Sequence, residues 1–170
     1  MSLFFGRLAV GYPGPLTRPP DRPNSWKIFT VWKGNVPGAC TTLGDIRACE
    51  STADLKNARK SFLNFLNRAA TGLPLSALYD EKQCHEAFTF KNGSNHEEVK
   101  VLRIWGTGVI RLYFLYLPDK NIVLLKTMAK REDQLTSGEL KQIQDLAIEV
   151  MTCLAQHEFE SRIICTASSK

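Results

Sequence analysis

The sequence predicts an α+β domain: an antiparallel sheet of one N-terminal strand plus a three-strand meander, with two helices before the meander and one after it. Three observations predict it. Residues 99–130 hold three apolar runs, VKVLRIW, VIRLYFLYL and IVLLKTMA, rich in β-branched and aromatic side chains. Short turn-like punctuation separates them, at Gly106-Thr107-Gly108 and Pro118-Asp119-Lys120-Asn121, which is the pattern of an antiparallel meander. Apolar residues recur at helical spacing on both sides of that stretch.

Taken in order, residues 1–10 are apolar but short, lack a basic start and run into Pro13 and Pro15, a poor signal peptide. Residues 11–24 hold five of the eight prolines and read as an extended N-terminal segment, 1–24, set apart from a domain at 25–158 and a tail at 159–170. WKIFTVWK, from Trp26, alternates as a strand: Trp26, Ile28, Thr30 and Trp32 on one side, Lys27, Phe29, Val31 and Lys33 on the other. Residues 34–50, rich in Gly, Thr and Cys, read as loop with room for a short strand. A capped start at Ser51 or Thr52 and a stop at Gly72 bound the first helix, with Leu55, Ala58, Phe62, Phe65, Leu66 and Ala69 as its apolar stripe. After Pro74 the reading is a second, shorter helix over 75–87, then a turn at 91–95. The capping box Thr136-Ser137-Gly138-Glu139 opens the last helix, which runs to about His157 on a stripe from Leu140 to Leu154.

Period-2 alternation gives the middle meander strand two faces, with Leu112, Phe114 and Tyr116 on one and Arg111, Tyr113 and Leu115 on the other. The first is the more apolar, so Arg111 is expected to look outward. The same reasoning turns Arg103, Lys126 and Lys130 outward, making one exposed basic face. Seven Lys/Arg against one acid between residues 99 and 131 concentrate there more than the whole chain's net charge of +5. Such clustering points to a polyanionic partner, nucleic acid first, or to a solvated face awaiting an acidic protein. Five widely spaced cysteines and no CxxC pair support neither a disulfide scaffold nor a zinc site, and no run reaches the length of a membrane span. The expectation is a cytoplasmic protein with reduced thiols and no cofactor or metal.

Leu102-Arg103, Gly106 to Gly108, Arg111-Leu112-Tyr113, DKNIVLL from Asp119, and Lys130-Arg131 occur in an order and spacing that resembles the RelE/ParE superfamily of type II toxin–antitoxin toxins, the HigB-like branch above all. The likeness covers about residues 97–155, and 50–96 by element order alone. It implies a growth-inhibiting toxin that cleaves messenger RNA at the ribosome without a metal, or, in the ParE branch, poisons DNA gyrase; a non-catalytic nucleic-acid- or protein-binding module is the further alternative. In the nuclease the RNA 2′-hydroxyl attacks the adjacent phosphate, and the protein removes a proton, stabilises the phosphorane and helps the 5′-oxygen leave. The resemblance assigns catalysis to Arg111, Arg131 and Lys130, and substrate binding to Arg103 and Lys126, with Tyr113 or Trp105 stacking on an unpaired base. None of His85, His96 or His157 falls where HigB-like members carry an acid or base; His85, in QCHEAF, reads as a helix histidine. Implied partners are a cognate antitoxin and RNA on the ribosome. Residues 1–49, outside the likeness, lengthen the sheet, block the active face or dock another protein such as a chaperone.

Overall fold

The meander strands carry apolar side chains on both faces, so a sheet built from them is stable only if both faces are covered. The structure, a computed structural model, describes residues 2–8, 24–34, 40–48, 52–104, 110–129 and 134–164. In it six strands form one sheet: β1 (Phe4–Leu8), β2 (Lys27–Trp32), β3 (Cys84–Asn92), β4 (Asn95–Ile104), β5 (Ile110–Leu117) and β6 (Asn121–Ala129). Their order across the sheet is β1-β2-β6-β5-β4-β3. The sheet is mixed. Strand β2 runs parallel to β6, Lys27 opposite Asn121 through Thr30 opposite Leu124, while every other neighbouring pair is antiparallel. The wholly antiparallel sheet expected from the sequence is therefore corrected, because helices separate β2 from the meander and let the chain return in the same direction.

The helices are α1 (Thr41–Arg47), α2 (Thr52–Ala69), α3 (Leu75–Leu78) and α4 (Ser137–Ala155), with a short 3-10 turn at Glu160–Arg162. α4 covers one face. Its Ile143, Ala147, Val150 and Cys153 pack with Phe29, Val31, Tyr113, Leu115, Val123 and Leu125. The opposite face, with Ile28, Leu102, Leu112, Phe114, Ile122 and Leu124, packs against Ile46 of α1, Phe62, Phe65 and Leu66 of α2 and Leu75 of α3. The alternation read along β2 and β5 thus assigns side chains to the correct faces, but both faces are core.

Two further element readings are corrected. Residues 75–87 are not one helix: helix ends at Leu78 and Cys84–Asn92 is an edge strand, so the meander has four strands. A turn anchored by Asp80, whose Oδ1 accepts from the Lys82 and Gln83 N–H groups at 2.9 and 2.8 Å, separates the two. Within 34–50, Thr41–Arg47 is helical. Phe4–Leu8, inside the segment set apart by its prolines, pairs with β2 in the same sheet, and Phe159 and Ile163 of the tail lie in the core. The expected turn at 91–95 stands, with Gly93 at φ +63°, and closes a hairpin of β3 and β4 that was not expected; Asp119 (φ +58°) and Lys120 (φ +55°) turn β5 into β6 as expected. The Gly106–Gly108 turn and the Pro-rich run 11–23 lie outside the described residues.

Candidate functional site

Strand register decides which basic side chains meet. Arg103 on β4 is directly opposite Arg111 on β5, and Arg111 is directly opposite Met128 on β6. His85 on β3 is opposite Val101, two residues from Arg103 along the same face of β4, so imidazole and guanidinium are diagonal cross-strand neighbours. Three adjacent strands therefore bring His85, Arg103 and Arg111 together on the α4 side of the sheet.

Their environments differ. Arg111 is 3 % exposed, whereas Arg103 and His85 are half-buried. The outward-facing Arg111 expected from the sequence is thus corrected. The face it shares with Tyr113 and Leu115 is covered, not open, and like-charged Arg103 lies against it. Each guanidinium has further interacting neighbours. Burial holds the His85 imidazole below its ordinary value, and the positive charges of Arg103, then Arg111 and Lys100, push the same way against a hydrogen bond at the Glu81 backbone. His85 is consequently a neutral base at neutral pH. Its Nδ1 is buried with no hydrogen-bond partner among the described residues.

The other expected site residues fare unevenly. Tyr113 is 2 % exposed, so its ring is core and offers no face to a base. Lys126 is not a bare cation beside Arg111. Its Nζ donates to Asp45 Oδ1 at 2.5 Å, and Asp45 Oδ2 also accepts from the Thr127 N–H at 3.0 Å. The register shift between Tyr113 and Phe114 breaks the simple alternation from which one basic row was read. Trp105, Lys130 and Arg131 lie outside the described residues. The residue that sequence reasoning passed over is His85. Reading QCHEAF as helix hid its strand position, and the register shift between Glu86 and Phe88 leaves no clean alternation there to reveal it.

Among the described residues no group of His, Cys, Asp and Glu could hold a metal ion, and no helix is long and apolar enough to cross a membrane. Cys40, Cys84 and Cys153 are free thiols. Compared with protein-family models, curated proteins and solved structures, the chain finds no match. The fold and this basic cluster define an α+β protein with a histidine–arginine site.

Proposed function

We propose that the protein is a growth-inhibiting toxin of toxin–antitoxin type that cleaves messenger RNA, with the His85–Arg103–Arg111 cluster as its working site. The observation that supports this reading is the placement of a neutral imidazole beside two guanidiniums on neighbouring strands. RNA cleavage by its own 2′-hydroxyl asks for those groups. The imidazole takes the 2′-proton as that oxygen bonds to phosphorus, and the guanidinium charge stabilises the phosphorane. The P–O5′ bond then breaks, the 5′-oxygen takes a proton from water, and a 2′,3′-cyclic phosphate and a 5′-hydroxyl result. Arg103 and His85 are half-buried and Arg111 is buried, so in this reading the first two are the groups assigned to meet the phosphate. Arg111, opposite Arg103 on the neighbouring strand, adds its charge to the cluster. A cognate antitoxin is the partner this reading calls for.

The test is to induce the chain alone in bacteria and map RNA ends. Growth arrest with new 5′-hydroxyl ends is expected, and both should vanish in His85→Gln and Arg103→Gln while the variants remain folded by circular dichroism. Arrest with intact transcripts and DNA-damage signalling would transfer the reading to gyrase. A second reading, a non-catalytic binding module, is favoured by the burial of Arg111, and absence of any growth defect would decide for it.

A further inference from the structure

On the face opposite His85, the start of α3 and the residues Cys84, Lys100 and Tyr116 of β3, β4 and β5 line an open groove. Its volume is about 310 Å³, and Trp26, Pro74 and Leu75 complete its wall. Tyr116 is the exposed residue of an otherwise buried strand, at 37 %. Its ring is nevertheless fixed on two sides. Phe114 meets it edge-on at 5.3 Å and 87°, and Trp26 lies against it at 5.3 Å. Trp26 is itself pinned by its Nε1–H, which donates to the Leu73 carbonyl at 2.9 Å. The result is an aromatic platform of Trp26 and Tyr116 seated on Phe114, with Tyr116 still 37 % exposed.

Charge of both signs flanks the platform, Glu86 and Glu98 lying beside Lys100. The Lys100 ammonium lines the groove and gives one hydrogen to Glu98 at 2.8 Å, leaving two among the described residues. The Lys120 ammonium stands 6.0 Å from the Trp26 ring centre and donates to the Asn24 and Gly72 carbonyls, leaving one hydrogen among the described residues. An aromatic surface with ammonium groups at its edge is complementary to a planar heterocycle carrying phosphate. The volume lies at the lower end of the roughly 300–1,000 Å³ of small-ligand sites, enough for one ring system and not for a dinucleotide.

We infer that this groove binds a mononucleotide, with the base stacked on Tyr116 and the phosphate drawn to Lys100 and Lys120. The site stands apart from the proposed cleavage cluster, on the other side of the sheet, and does not depend on it. Titrating the full-length protein with AMP, adenosine, ribose 5-phosphate and N-acetyltyrosinamide, followed by tryptophan fluorescence and amide shifts, tests it. AMP is expected to saturate below millimolar concentration, with adenosine and ribose 5-phosphate each weaker by about tenfold or more, the loss of one good contact. Tyr116→Leu should abolish AMP binding while the fold, read by circular dichroism, is retained. Lys100→Gln should weaken AMP but not adenosine, and Glu98→Gln, which frees Lys100, should tighten AMP. Failure of AMP to saturate, unchanged AMP binding in Tyr116→Leu, or tighter binding of N-acetyltyrosinamide than of AMP would each overturn the inference, the last in favour of an aromatic peptide.

Discussion

His85 shows how much one side chain's meaning depends on its neighbours. Its titration carries a sign that can be checked. The folded-state value is lowered, so between it and the ordinary value near 6.5 the unfolded chain binds more protons than the folded one. Stability from this group is therefore fully present above the unfolded value and is lost as pH falls through the folded one. Thermal melts between pH 7.5 and 5 should show wild type losing more stability than His85→Gln. A steeper loss in the variant would contradict the assignment. Asp45 carries a second prediction at this scale. Its carboxylate accepts from both Lys126 Nζ and the Thr127 N–H, with the side chain 12 % exposed. Asp45→Ala leaves a half-buried ammonium and a strand N–H unsatisfied, and should cost about 1–3 kcal/mol in denaturant melts.

Single elements explain which local signals survived folding. The start of α4 read from Thr136-Ser137-Gly138-Glu139 agrees with the structure to the residue, while its end falls at Ala155 rather than about His157. Thr136 Oγ1 accepts from the Glu139 N–H at 3.2 Å, and Glu139 Oε2 accepts from the Thr136 N–H at 2.7 Å. Thr136→Ala should destabilise by about 0.5–2 kcal/mol, read by chemical denaturation. The α2 terminus was equally legible, because Gly72 adopts φ +74°. What its sequence does not say is how closely the chain approaches it. A Cβ there would stand 1.9 Å from the Asn24 carbonyl oxygen, so Gly72→Ala must displace the entry to β2 as well as strain its own backbone. The loss should exceed the roughly 1 kcal/mol of an ordinary φ > 0 glycine replacement, measured as a drop in melting temperature. The mistaken helix at 75–87 has a different cause. Cys84–Asn92 is half-buried with mixed polar and apolar residues, a pattern its pairing with β4 resolves and local propensity does not.

Across the whole molecule, the ends of the chain close the core. The Ile164 N–H donates to the Phe5 carbonyl at 2.8 Å, and Phe159 packs against Phe5 and Phe29 at ring distances of 4.5 and 5.2 Å. Phe159, 4 % exposed, joins the tail to β1 and β2 beneath α4. Phe159→Ala should cost about 3–5 kcal/mol in equilibrium unfolding, as a buried aromatic deletion does, and should loosen the β1 edge in hydrogen exchange. By itself the sequence determined the α+β class, the strands of the 99–129 stretch, the faces of β2 and β5, and both long helices. Each follows from a period or a cap that neighbouring residues supply within one element. Tertiary structure alone decided that β2 lies parallel to β6, that Arg111 is inside, that Lys126 belongs to Asp45, and that His85 joins the arginines. Burial and register are properties of what packs on the far side of a strand, and no local pattern records them.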